Sequence, residues 1–454
     1  MKTDSLSFLS KSLKKALQIT LGAFLFLVFL ALILITTVDR SPLEEQDFYH
    51  ETFDRLEKTA WQGSEGDAWL AGWAAENVTP NQAVDLVGYA PRGPYEFIQD
   101  SSLVKALTLT NGKTRIVWLN FELLIVHPAL AEAVEAGVKK AALPTDQLIF
   151  TATHTHSGMG GYMPGPLGEM AFGGYSQSVV DLLVEKSVTA IRRAVSSEDT
   201  VTVSFRKVAA QEYVANRFVK DGPTDPFFRQ IVFSRKDGSK ATFLTYSAHA
   251  TTLYAKFMGL SGDYPKYLSR ALESRDYEFA LFAAGTVGSH RPLASGNLPE
   301  HTQSYAASLD SVISMANAAT DTIYSPRIIH SRLDIGLREP HLRISDNLRI
   351  RPWLFNYLLG ETNPHLDITQ IGNILMIASS GEMSGVFYEA WDKLAEKNQL
   401  HLIVTTFNGG YIGYITPDEL YDERFHEVRE MNWYGPGNGS YFDKLIKQTI
   451  EKAN

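Results

Sequence analysis

Phe150 to Tyr162 reads FTATHTHSGMGGY and sets His154 and His156 two positions apart at the end of an expected strand. Alternate residues of a strand share a face, so both imidazoles can serve one site. With 12 histidines in the chain the triplet alone is a weak signal. Its continuation strengthens it, because Gly158, Gly160 and Gly161 let backbone approach a ligand closely and supply N–H donors. The same residues also fit a polar loop around one hydrogen-bonded core histidine. His249 closes the run Phe243 to Ala248, where a lone histidine is equally at home as a structural residue. Glu382 follows the apolar run Ile374 to Ala378 at a strand-to-helix turn, where a carboxylate also suits a helix N-terminus. Tyr411, Tyr414, Tyr421 and Tyr434 make the C-terminal stretch rich in aromatic residues with a polar tip. The chain has no cysteine, which excludes a thiolate nucleophile, a disulfide framework and cysteine-ligated metal. A metal would have to sit on His, carboxylate or Tyr, and strand-end His and Glu residues suggest a zinc hydrolase.

Short strand-like runs alternate with helical ones around these positions. Arg115 to Leu119 reads as a strand, Ala129 to Ala142 as an amphipathic helix, and Gln147 to Ala152 as a strand leading into the histidines. Ser178 to Val195 repeats the helical period. Val201 to Lys207, Gln230 to Ser234 and Thr242 to His249 read as strands, the last two joined in a hairpin at Lys236-Asp237-Gly238-Ser239. Ile371 to Ala378 and Leu402 to Thr406 are apolar strands. The expected fold class is α/β, a mixed β-sheet layered with helices and carrying the zinc site at strand ends.

Ala16 to Ile35 has no charge over about twenty residues, the length needed to cross a bilayer as a helix. No small-residue cleavage pattern follows it, so the segment is expected to stay as a single-pass signal anchor. Lys2, Lys11, Lys14 and Lys15 precede the span against Asp4, whereas Asp39, Glu44, Glu45 and Asp47 follow it against Arg40. The positive-inside rule then keeps residues 1–15 cytoplasmic, 16–37 in the membrane, and the rest on the outer, periplasmic or extracellular side. Residues 38–66, rich in charge and aromatics, suit a juxtamembrane helix or stalk, and 67–454 form the catalytic domain. A 44% hydrophobic composition with 11% aromatics excludes a disordered chain, and a net charge of -9 argues against a nucleic-acid partner.

Taken in order from Asp85 to the C-terminal region, these segments resemble the catalytic domain of the neutral (alkaline, non-lysosomal) ceramidases. TATHTHSGMGG is similar to that family's THTHSGPGG. Asn216-Arg217, His249-Ala250-Thr251-Thr252, Ser380-Gly381-Glu382 and Tyr411 to Thr416 follow in the family's order, and Val87-Gly88-Tyr89 and Ser261-Gly262-Asp263 look like further family features. The resemblance implies zinc bound by His154, His249, Glu382 and Tyr414. It makes His156 and Arg217 groups that polarise or orient the substrate near its amide, and Tyr434 the match to a further family tyrosine. In the family picture zinc-bound water attacks the amide carbonyl and the amine leaves after protonation.

The family also carries a serine in a GDVSPN-like segment, here Phe282 to Pro292. Anchoring on Gly288 and Pro292 puts Arg291 at that position, anchoring on Gly285 and Val287 puts Gly288 there, and a shift of one or two residues gives the role to Ser289. An arginine would favour an anionic substrate. The family's appended C-terminal β-sandwich has no counterpart after the last motif, so membrane attachment is expected from the N-terminal helix. The resemblance implies a membrane-anchored, zinc-dependent amidohydrolase of an N-acyl lipid, cleaving ceramide (N-acylsphingosine) to sphingosine and fatty acid in sphingolipid metabolism. The alternatives are a zinc hydrolase of a different, anionic amide or ester, and a non-catalytic binding protein on the same fold.

Overall fold

The computed structural model describes residues 3–89 and 92–453. Lys2, counted above in the charge asymmetry, lies outside them. The chain is α/β and is built on two mixed sheets rather than one. The larger has nine strands. In spatial order they are Phe279–Ala284, Lys240–Tyr246, Phe227–Arg235, Asp199–Ala209, Leu70–Asn77, Leu103–Thr110, Arg115–Phe121 and Gln147–Ala152, with Thr320–Ile323 paired beside Asp199–Ala209. The smaller runs Gln62–Glu65, Arg327–Asp334, His365–Ile371, Ile374–Ser379, His401–Thr406. The two outermost pairings of the larger sheet and the last of the smaller are parallel.

Alternation along the strands shows how the layers stack. Leu107, Ile116 and Trp118 from the larger sheet share one buried cluster with Ile374, Met376 and Ile403 from the smaller, so the sheets pack face to face. Their intervening neighbours Val117, Leu119, Leu375 and Ile377 point the other way, to a cluster that includes Leu130 and Leu183 of the helices Pro128–Lys140 and Gln177–Ser196 and Trp391 of Tyr388–Lys397. A third cluster sets the helices Asp263–Arg275 and Pro299–Met315 against Phe228, Leu244 and Phe282. Strands buried on both faces lack polar alternation, which is why Gln147–Ala152, Phe279–Ala284 and Ile374–Ser379 read as continuous apolar runs.

Two expectations are corrected. The run Ile371 to Ala378 is not one strand: Ile371 pairs with Ile374 across Gly372-Asn373, with Gly372 at φ 57°, and a hairpin results. The strand expected to end at His249 stops at Tyr246, and His249 sits on the loop beyond it. The segment after the first helix is packed into the domain. Tyr49 of Asp47–Lys58 lies 5.1 Å from the ring of Tyr441, and Gln62–Glu65 extends the smaller sheet.

The first helix runs Thr3–Leu34, and its Leu13–Leu34 stretch, of mean hydropathy 2.6 and with no buried residue, is long and apolar enough to cross a membrane. Ile35–Thr37 then pairs antiparallel with Leu348–Ile350.

Candidate metal centre

The carboxyl ends of five strands, three from the larger sheet and two from the smaller, deliver the candidate residues to one place. His154 follows Gln147–Ala152, His249 follows Lys240–Tyr246, Val287 follows Phe279–Ala284, Glu382 follows Ile374–Ser379, and Phe407 follows His401–Thr406. His154 and Phe407 both take left-handed backbone conformations, φ 62° and 69°, and their rings stack 4.4 Å apart. Such conformations cost a non-glycine residue about 1–3 kcal/mol each and persist where the surroundings impose them. Here they turn two strand ends of different sheets toward each other.

The Nε2 atoms of His154, His156 and His249 converge, with separations of 2.9, 3.0 and 3.3 Å. Each ring is held from behind by a backbone carbonyl at Nδ1: Leu124 at 2.7 Å from His154, Gly88 at 2.5 Å from His156, and Val287 at 3.3 Å from His249. A neutral imidazole whose Nδ1–H donates to a carbonyl carries its lone pair on Nε2, so three lone pairs face one another. Burial, reinforced by neighbouring His154 and the Arg217 cation, pushes both His156 and His249 well below the ordinary histidine range and keeps them neutral. Facing lone pairs repel unless a cation lies between them. Zinc with Zn–N bonds of about 2.05 Å holds tetrahedral nitrogens about 3.3 Å apart, close to the spacing found.

Glu382 completes the set. It is fully buried, neither carboxylate oxygen has a hydrogen-bond partner among the described residues, and Oε1 lies 3.4 Å from His154 Nε2. A buried carboxylate in that condition is costly unless a cation joins it. Tyr414 pairs with Glu382 across a short parallel bridge, and burial together with the Glu382 charge drives its phenol well above the usual range. The three histidine nitrogens therefore fit a zinc ion in spacing, and the buried carboxylate beside them fits it in donor chemistry.

Loops behind the site explain how it is held. Thr155 Oγ donates to Ser261 O at 2.7 Å, and Ser261 N donates to Ser157 O at 2.9 Å, tying the histidine triplet to the Ser261-Gly262-Asp263 turn. Asp263 then accepts from Thr252 N at 3.1 Å and Leu253 N at 3.2 Å, which fixes the loop after His249. Gly88 is required where it stands, because a Cβ there would lie 2.4 Å from His156 Cα.

The other sequence-derived residues divide. Arg217 reaches the site, with Nη1 3.4 Å from His249 Nδ1, and forms an ion pair with Glu427, a residue without a sequence signal. Tyr434 is buried and shares a 2.7 Å hydrogen bond with Thr362 Oγ, and burial pushes its phenol up to about 12. Ser289 is buried, and its Oγ accepts from Gly385 N at 3.0 Å. Arg291 is exposed on the strand His290–Pro292, whose preceding residue His290 points inward, and its side chain has no ion pair among the described residues. A cavity of about 390 Å³ lined by Lys207, Asp225, Arg229 and Asp392 includes none of the candidate residues. Its charges are satisfied internally, Arg229 lying 2.8 Å from Asp225 and 3.2 Å from Asp392.

The geometry matches a known class. Residues 69–297 match the family "Neutral/alkaline non-lysosomal ceramidase, N-terminal", and the chain belongs to that family of amide hydrolases. Among solved structures, neutral ceramidase from Pseudomonas aeruginosa is similar with a TM-score of 0.70 at 17% identity, over 84% of this chain and 74% of that one. A ceramidase complexed with C2 is similar at 0.69 and 18% identity, over 84% and 75%. Likenesses at this identity show the fold. No curated protein sequence matches the chain.

Proposed function

We propose that this chain is a membrane-anchored, zinc-dependent hydrolase of the amide bond in an N-acyl lipid of the ceramide type, releasing a fatty acid and a sphingoid base. The convergence of three Nε2 lone pairs, with the unpartnered buried Glu382 carboxylate 3.4 Å from that of His154, in a chain of the ceramidase family, carries this reading. His154, His249, Glu382 and Tyr414 would hold the zinc. A bound zinc ion supplies Lewis-acid polarisation and makes water more acidic.

The protein's own groups account for orientation and charge. His156 is the one histidine of the three that reaches solvent, so it meets the substrate at the edge of the metal centre, its ring held by the Gly88 carbonyl with Nε2 turned toward His154 and His249. The Arg217 guanidinium, pinned by Glu427, places a permanent cation where an amide oxygen gathers negative charge. Tyr434 is a polar phenol held by Thr362 at the edge of the same loops. Ser289, occupied by the Gly385 N–H, supports the turn beside Glu382. The exposure of Arg291 lends no support to an anionic substrate.

In this reading residues 1–15 stay cytoplasmic, 16–37 cross the membrane, and 38–66 and the catalytic domain 67–454 lie outside. The deciding experiment is metal analysis of the purified full chain alongside hydrolysis of N-acylsphingosine in detergent. About one zinc per chain is expected. His154→Ala and His249→Ala should each remove both zinc and turnover. Full activity in metal-free protein would overturn the zinc assignment, and zinc-loaded protein inert toward N-acyl lipids would overturn the substrate.

A further inference from the structure

The helix Pro352–Leu359 has two unlike faces. Phe355 and Leu359 are buried, with Phe355 edge-on to Trp433 at 5.4 Å. Trp353 and Tyr357, one turn apart on the opposite face, are 51% and 67% exposed. Met170, on the short helix Pro166–Ala171 packed beside it, is 65% exposed. Leu348, which opens the preceding strand, and Ile344, whose N–H donates to its carbonyl, are 41% and 50% exposed. A Trp and a Tyr with apolar neighbours on one face is the composition of a membrane-interface belt.

The position of this face relative to the N-terminal helix says what covers it. Leu348–Ile350 runs antiparallel to Ile35–Thr37, so the chain returns toward the end of that helix before Pro352–Leu359 begins. Arg351 closes the junction: its backbone N–H donates to Leu34 O at 2.8 Å, and its guanidinium to Leu32 O at 2.9 and 3.1 Å. These are carbonyls left without partners at a helix C-terminus, and a cation there also suits the helix dipole. Trp353 is two residues further on. It therefore stands level with the point where a spanning helix leaves the hydrocarbon.

We propose that the Trp353–Tyr357 face, with Met170 beside it, seats in the interfacial layer of the bilayer that the N-terminal helix spans. This rests on reading that helix as an anchor, and it adds that the catalytic domain lies against the membrane in one fixed orientation instead of swinging above it. The consequence reaches the site. The loop that leaves Pro352–Leu359 supplies Thr362, whose carbonyl accepts from Tyr411 N at 2.8 Å and whose hydroxyl pairs with Tyr434. The Met170 helix continues the chain from the His154–Tyr162 segment. Both seated elements are thus one loop from the site, so a lipid substrate enters from the bilayer without crossing water.

The test uses the full chain reconstituted in phosphatidylcholine vesicles brominated near the carboxyl end of one acyl chain. Of the seven tryptophans Trp353 alone is exposed, so bromine quenching reports on it. Quenching should appear in the natural chain and vanish in Trp353→Phe. Protein that floats with the vesicles but is not quenched at Trp353 overturns the docking while leaving the anchor intact. Protein that does not float overturns the anchor, and the docking with it. In a second arm Trp353→Ser/Tyr357→Ser leaves the buried Phe355 and Leu359 in place. It should lower kcat/KM on N-acylsphingosine embedded in vesicles by about tenfold or more, through KM, while a short-chain substrate in detergent changes by less than about twofold. Equal losses on both substrates would assign these residues to folding and overturn the proposal.

Discussion

Replacing Glu382 by glutamine should change stability in opposite directions with and without zinc. Neither Glu382 oxygen has a hydrogen-bond partner among the described residues, and the side chain is wholly buried. Stripped of metal, the chain keeps a wholly buried carboxyl group with no hydrogen-bond partner on either oxygen, and leaving such a group unsatisfied costs about 1–3 kcal/mol, more where it is charged. Glutamine removes the charge, and its amide can donate toward His154 Nε2, which lies 3.4 Å from the present oxygen. Metal-free Glu382→Gln should therefore be more stable than the metal-free natural chain, by about 1–3 kcal/mol. With zinc the order reverses. Saturation at a hundredfold excess over the dissociation constant is worth about 2.7 kcal/mol, and a chain lacking one strong donor gains less. The assay is thermal unfolding of the detergent-solubilised full chain with zinc and with a chelator, read as midpoints for the natural sequence and Glu382→Gln. Two crossing orders are expected. If Glu382→Gln lowers the midpoint equally in both conditions, the carboxylate supports the fold and does not bind the metal.

Two further outcomes test the surroundings. Ser289→Ala should leave the Gly385 N–H unpaired and cost about 1–3 kcal/mol of stability while kcat falls less than about tenfold; a larger loss of turnover with zinc and folding intact would give Ser289 a part in the chemistry. His127 is held down from 6.5 to about 4 by burial, so the unfolded chain takes up a proton that the folded one refuses as pH falls through this window. The stability His127 contributes is complete above 6.5 and is lost toward pH 4, a difference of about 3 kcal/mol. His127→Asn keeps an acceptor for the Ala129 N–H and cannot titrate, so its unfolding free energy should decline less between pH 7 and 4; an equal decline would show that His127 is protonated in the fold.

How far the site could be read from the sequence follows from what each position offers to a pattern. His154, His249 and Glu382 each end an apolar run, and in layered α/β folds strand ends collect at one rim, so their candidacy was visible before any contact was known. That they meet depends on two sheets packing face to face, which periodicity cannot show when strands are buried on both sides, as in Gln147–Ala152 and Ile374–Ser379. The resemblance supplied that missing step by tying the motifs together. Glu427, Thr362 and Phe407 had no such signal. An isolated carboxylate, a threonine after a short helix and a phenylalanine at a strand end are ordinary residues until the fold brings them beside Arg217, Tyr434 and His154. The Gly372-Asn373 turn is a two-residue hairpin signal that the apolar residues on either side mask.

The same reasoning separates Ser289 from Arg291, where alignment alone left both open. The strand His290–Pro292, which Ser289 directly precedes, pairs with Val214–Asn216 just before Arg217, and alternation turns His290 inward and Arg291 to solvent. Ser289 faces the turn beside Glu382, its Oγ already accepting one backbone N–H. A hydroxyl in that position still has a proton to give, but its nearest ring nitrogen is His290 Nδ1 at 3.4 Å, and His290 Nε2 is engaged by the Asp225 N–H. His290 therefore sits in the Asp225–Ser247 network behind the site and not among the three converging histidines. With Nε2 accepting, the neutral His290 ring carries its proton on Nδ1, where the Thr286 carbonyl lies 3.2 Å away, so Nδ1 has no lone pair with which to take the proton of Ser289.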